Sequence, residues 1–235
     1  MVARVRSLGP ELDWLPDDTE EALLGTSTHQ AVIVVLNICL ALYARAAGLP
    51  WFVGNQLQLR IPRGAGRPAY HPSPDLLVHP TLGDIALASL PLVQYGPPAL
   101  ALEIASPGTA REHDLNTLAP GAKPSAYAQA GIAEYLVYDP TGLVLPDRVR
   151  AWHLGAAGGY EPWEPQADGR WHSALGVSFA PEVGGILLRV YDPAGNLIST
   201  PYEMAAQLAE RDRAVAEREA RIAALEAELR RIGGA

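Results

Sequence analysis

The sequence predicts a two-layer α/β domain followed by a separate, long C-terminal helix, and three observations carry that reading. Between residues 20 and 139 the apolar patterns run in the order helix, strands, helix, strand, the alternation expected when helices cover a sheet. The segment Ala99 to Ala105 is apolar but for Glu103, which marks a strand at the centre of a sheet. From Tyr202 to Ile232 there is no glycine or proline, and alanine, glutamate and arginine dominate. The expected organisation is therefore one domain over residues 1–200 and a helix over 201–235.

Each element has its own signal. Asp17-Asp18-Thr19 is an N-cap pattern ahead of Glu20 to Leu24, predicting a short helix that Gly25 stops. Thr26-Ser27-Thr28 offers a second cap, so His29 through Ala47 reads as a long, mostly buried helix ended by Gly48. Trp51 to Val53 reads as a strand, and Gln56 to Ile61 alternates polar and apolar as a half-buried strand does. Pro62 to Pro74, rich in glycine and proline, is a loop, and Asp75 to Val78 is a short apolar strand. After the central strand, Pro124 to Ala130 reads as a helix with proline in its first turn and Gly131 as its stop. Glu134 to Asp139 is the next strand. Short β-like pieces at 149–154, 159–163 and 186–191 then read as an antiparallel extension of the same domain. In the tail, Leu208, Val215, Ile222 and Leu229 fall seven apart, with Leu225 and Ile232 in the companion positions and Arg211 and Arg218 in the earlier ones. That is a heptad seam, strongest in its C-terminal half, and it predicts a coiled coil and a homo-oligomer.

Composition narrows the function classes. A net charge of −8 argues against a protein that coats nucleic acid by bulk electrostatics. It leaves room for an enzyme that grips a few phosphates locally with help from metal ions. Cys39 is the sole cysteine, so no disulfide can form within the chain and a reducing compartment is the simple reading. The N-terminal arginines are followed by no apolar signal segment, and the run Ala31 to Leu42 is about half of a bilayer span. A soluble, cytoplasmic protein is expected.

Three features could carry chemistry: Pro74-Asp75 opening an apolar strand, Glu103 inside the central strand, and Lys123, the single lysine beside seventeen arginines. A carboxylate in a central strand is expensive to bury without a partner. Two carboxylates on neighbouring strands with a backbone carbonyl between them make an all-oxygen site suited to Mg²⁺ or Mn²⁺. A nearby ammonium, a compact donor that a guanidinium does not replace, would orient a water or stabilise a phosphoryl transition state. The histidines lack ligand spacing such as HxxxH, no glycine-rich phosphate loop follows a strand, and Ser106 lacks a nucleophile elbow. Zinc, nucleotide and serine-hydrolase chemistry gain no support.

Ser73-Pro74-Asp75, Leu102-Glu103-Ile104-Ala105-Ser106-Pro107, Asp114, Lys123-x-x-x-Tyr127 and Gly131 to Pro140, in this order and spacing, resemble the Uma-type restriction endonuclease family of the PD-(D/E)xK nuclease superfamily. The resemblance covers roughly residues 12–200. It implies a restriction-endonuclease-like core, a mixed sheet flanked by helices in αβββαβ order. It also implies a metal, Mg²⁺ or Mn²⁺, held by Asp75 and Glu103 with the carbonyl of Ile104 as third ligand, and DNA as substrate. The lysine expected two residues after the glutamate is Ala105 here. The family is similar to members in which that lysine has moved to the following helix, which assigns the role to Lys123. Asp114 would orient Lys123 or cap a helix, and Glu20 or Glu21 would approach the metal or form a solvated turn. Arg60, Arg63 and Arg67 are candidates for phosphate contacts. His29, Tyr127 and Tyr135 read as structural. Ala105 and the acidic balance also support a second reading, a catalytically inactive nuclease fold acting as an oligomeric scaffold.

Overall fold

Gly25 does not end the first helix. A computed structural model of the chain describes residues 20–62, 71–105 and 123–233, with side chains from residue 27 onward, and its first element, α1, runs unbroken from Glu20 to Ala46. One glycine costs a helix about 1 kcal/mol, which the apolar residues after it outweigh by burial. Val32, Ile33, Leu36, Cys39 and Leu40 are at most 3% exposed. The helix therefore extends well beyond the apolar run, and Ser27–Ala46 is long and apolar enough to cross a membrane by length and composition. In this fold its buried side chains pack within the protein, and α1 lies against β1 (Phe52–Asn55), β5 (Leu100–Ile104) and β11 (Leu188–Tyr191).

Two compact units divide the chain, Met1–Leu197 and Ile198–Ala235. In the first, β1 (Phe52–Asn55), β3 (Leu76–His79), β5 (Leu100–Ile104), β6 (Glu134–Tyr138), β7 (Val149–Leu154) and β8 (Tyr160–Pro162) form one sheet in the order β1-β3-β5-β6-β7-β8. Only β5 and β6 run parallel; the other neighbours are antiparallel. A parallel pair needs a crossover, and the connection between them carries α3 (Lys123–Gln129). Gly131 follows α3 at φ 80°, the left-handed conformation that lets the chain turn into β6. The expected mixed α/β core with helices around a central sheet is thus observed.

The alternating segment 56–61 forms less strand than its pattern predicts. Gln56 sits at φ 50°, a left-handed break that side chains rarely adopt, and the strand itself is confined to Leu59–Arg60 (β2), which pairs with Leu90–Pro91 (β4), with a single bridge at Ile61. The short α2 (Leu92–Tyr95) follows β4. Beyond β8 the chain builds a second sheet, β9 (Trp171–His172), β10 (Ser178–Pro181) and β11 (Leu188–Tyr191), in the order β11-β10-β9. The late strands therefore divide, β7 and β8 extending the main sheet and the last three forming their own.

Sheet register sorts the core. Leu77 pairs with Ala101, Ala101 with Tyr135, and Tyr135 with Trp152, so these four share one face. Tyr127 of α3 and Ile132 join that face in a single buried cluster. Tyr135 stacks between Trp152 and Tyr160, at 5.3 and 5.9 Å between ring centroids, and meets Tyr127 edge-on at 5.3 Å. Asp139, which ends β6, organises the turn. Its carboxylate accepts hydrogen bonds from the amides of Thr141, Val144 and Leu145.

The second unit is the helix α4 (Pro201–Gly233). Thr200 and Glu203 close a reciprocal capping box: the Glu203 amide donates to Thr200 Oγ1 and the Thr200 amide to Glu203 Oε2. None of its residues is buried within the chain.

Candidate active site

The site is built where β3 begins and β5 ends. Leu76 faces Leu102 across the antiparallel pair, and Leu77 faces Ala101. Asp75 immediately precedes the first paired residue of β3, close enough for its charge to act on Glu103. Glu103 lies in an all-buried strand, and its side chain is 0% exposed.

From α3, two side chains one helical turn apart reach Glu103. The ammonium of Lys123 lies 3.0 Å from Glu103 Oε1, and the hydroxyl of Tyr127 donates to the same oxygen at 2.8 Å. An i, i+4 pair on a helix face points both groups the same way. Lys123 is 20% exposed, so it links the buried acid to the solvent side. The second oxygen, Glu103 Oε2, is buried and has no hydrogen-bond partner among the described residues. Such an oxygen is costly in an apolar strand.

Asp75 is held from two other directions. Its Oδ2 accepts the amide of Ile104 at 2.8 Å, and its Oδ1 lies 3.2 Å from Nε2 of His29 on α1. These partners lie 29 and 46 residues away in sequence, so Asp75 is a tertiary anchor and not a local turn cap.

The two acids titrate in opposite directions. Burial pushes Glu103 up to about 7, the charge of Asp75 adding to it and Lys123 and Tyr127 opposing it. Burial also raises Asp75, but the His29 hydrogen bond, the Ile104 amide and the charge of Lys123 together hold it below the ordinary carboxylate range. Paired carboxyls with separated affinities for protons are a common feature of working sites.

Lys123 pairs with Glu103, and Asp75 lies near enough to both for their charges to act on one another. Ile104 enters through its amide, which orients Asp75. Tyr127 and His29, read from sequence as structural, touch the two carboxylates. For Tyr127 the available signal was its spacing of four from Lys123; for His29 the sequence offers none. Ala105 is 3% exposed in the core, and the ammonium reaches Glu103 from α3 instead. Arg60 is exposed at the end of β2. Asp114, Arg63 and Arg67 lie outside the described residues, as do the side chains of Glu20 and Glu21.

Among the described residues no group of three or more His, Cys, Asp or Glu side chains is arranged to hold a metal ion. The donors present still suit one kind of cation. Mg²⁺ and its analogues are commonly held by one or two carboxylates, with waters and substrate phosphates filling the remaining positions. Glu103 Oε2, buried and without a partner among the described residues, with the charge of Asp75 nearby, fits that demand.

A family model described as Uma2, putative restriction endonuclease, matches residues 18–181. No curated protein matches the chain.

Proposed function

The chain belongs to the Uma2 family, and from that membership we propose that it is a divalent-metal-dependent endonuclease that hydrolyses phosphodiester bonds of DNA. The observation that carries the proposal is Glu103: fully buried, paired with Lys123 through one oxygen and, among the described residues, without a partner for the other. An apolar side chain would fill this strand at lower cost, so a role for the charge explains its presence.

In this reading Asp75 and Glu103 hold Mg²⁺ or Mn²⁺, with the Ile104 carbonyl as a further oxygen donor. The cation supplies Lewis acidity to the phosphodiester. Lys123 directs its ammonium at the attacking water or at a phosphate oxygen, where charge develops in the transition state. Tyr127 fixes the Glu103 carboxylate, and Arg60 contributes a phosphate contact at the rim. The test is nicking of a supercoiled plasmid with Mn²⁺ or Mg²⁺. Asp75→Ala is expected to slow it by about 10³-fold, the order of a lost transition-state charge contact. Equal rates for the two proteins would end the reading.

The exposed seam of α4 supports assembly of the enzyme into a homo-oligomer. Leu208, Val215, Ile222, Leu225, Leu229 and Ile232 are 47–69% exposed, and a stripe of this kind is stabilised by a second helix with the same repeat. Ile222→Glu places a charge in the middle of the seam and is expected to turn an oligomer into a monomer in sedimentation velocity. A monomeric wild type would refute this assembly.

Ala105 and the net charge of −8 favour one alternative, a non-cutting scaffold with the same fold. Calorimetry separates the two, since Mn²⁺ binding that is lost in Glu103→Ala contradicts the scaffold.

A further inference from the structure

We propose that His29 is a positioning residue that fixes the carboxylate of Asp75 for its cation, so that the first helix contributes to the site through its imidazole. The inference rests on the endonuclease reading and assigns His29 a role that the family match does not specify.

From Ala22 to Ala44, α1 carries no Asp, Glu, Lys or Arg, and residues 32, 33, 35 and 36 that follow His29 are at most 7% exposed. His29 is therefore carried on a packed scaffold, one turn from buried side chains. Its ring is 16% exposed and its Nε2 lies 3.2 Å from Asp75 Oδ1. The chain separation of 46 residues means that only the tertiary fold brings the two together.

Asp75 needs such a restraint. It precedes β3, whose first paired residue is Leu76, so its backbone lies at the end of the ladder. One oxygen is held by the Ile104 amide. A single hydrogen bond lets a carboxylate rotate about it, whereas a second contact on the other oxygen sets the plane. With Nε2–H as the donor, His29 supplies that second contact and Asp75 keeps its remaining lone pairs for a cation. Partners of this kind orient a ligating group without ligating, and their loss weakens metal binding.

The experiment uses the full chain with His29→Ala and His29→Gln, the second keeping an amide donor at the reach of Nε2. Two measurements are made. In calorimetry with Mn²⁺, His29→Ala is expected to weaken binding by about 10- to 100-fold, and His29→Gln to recover most of the loss. In the metal-free protein, amide exchange at Ile104 is expected to speed up by about fivefold or more in His29→Ala, the effect of loosening one hydrogen bond. Exchange at Leu102 should stay at the wild-type rate, and His29→Gln should restore Ile104.

Unchanged Ile104 exchange in His29→Ala would overturn the proposal, as would failure of His29→Gln to restore it. A ¹⁴N coupling from the imidazole in the EPR spectrum of Mn²⁺-loaded protein would also overturn it, since the ring would then be a ligand. If the wild type binds no Mn²⁺, the metal-dependent endonuclease reading falls and with it a positioning role for a cation. That outcome is distinct from failure of the His29 contact itself, which Ile104 exchange reports without metal.

Discussion

Glu103→Gln is expected to lower metal-dependent nicking by about 10³-fold or more, the order of a lost transition-state charge contact, and at the same time to make the metal-free protein more stable at pH 8. Both effects come from one buried charge. Glutamine can keep an acceptor for Tyr127, but it removes the carboxylate that a cation requires.

Stability follows from where Glu103 titrates. Its carboxyl is moved from an ordinary 4.5 to about 7, first by burial and then by the charge of Asp75, with Lys123 and Tyr127 opposing. Because the folded value is raised, the folded protein binds this proton more tightly than the unfolded chain does. The resulting stabilisation is complete below about pH 4.5 and is lost as pH rises through about 7. Across that window the loss is about 3 kcal/mol, since each pH unit of separation is worth about 1.4 kcal/mol. Thermal unfolding in EDTA should show the wild type losing several degrees more than Glu103→Gln between pH 5 and pH 8. Glu134 is also raised by burial, against its hydrogen bonds to Ser173 and the Ala174 amide. The comparison with Glu103→Gln isolates Glu103 from it. Superimposable pH profiles for the two proteins would show that Glu103 does not hold its proton as described. Metal binding draws on the same equilibrium: the cation needs the ionised acid, so Mn²⁺ affinity should rise with pH through about 7 and release a proton on binding.

Lys123→Ala is expected to reduce the nicking rate by about 10²- to 10³-fold, the range found when one positioned donor is removed from a developing charge. Lys123→Arg should not restore it. A guanidinium is planar and longer, and cannot place a single compact charge 3.0 Å from Glu103 Oε1 beside the Tyr127 hydroxyl. Loss of Lys123 also removes the principal influence holding Glu103 down. The alkaline rise of the rate with pH should therefore move to higher pH in Lys123→Ala. Recovery of the wild-type rate by Lys123→Arg to within about threefold would show that any cation serves, and would remove the specific role of the ammonium.

Much of the fold was legible because several signals are local. Pro124 and Gly131 bracket α3, the apolar run around Glu103 becomes the buried β5, and β7 matches its expected bounds. The failures have physical causes too. Gly25 looked like a stop because its backbone penalty is visible in sequence, whereas the burial that outweighs it is not. Gln56 interrupts an otherwise good alternation because its φ of 50° depends on how the chain turns from β1. β10 carries the core residue Phe179, yet Ser178-Phe-Ala-Pro181 has too short an apolar pattern to stand out from the turns around it.

The amino-acid sequence alone determined that Asp75, Glu103 and Lys123 are the residues of interest. An acid in an apolar strand, an acid after proline and a solitary lysine are anomalies of composition, visible without coordinates. Only the tertiary structure decided that Asp75 comes near enough for its charge to act on Glu103, that Lys123 and Tyr127 share a single oxygen of Glu103, and that His29 reaches Asp75. Strand register and the docking of α1 are set by packing between segments far apart in the chain. Side-chain convergence across 20 to 46 residues leaves no local pattern for a sequence to display.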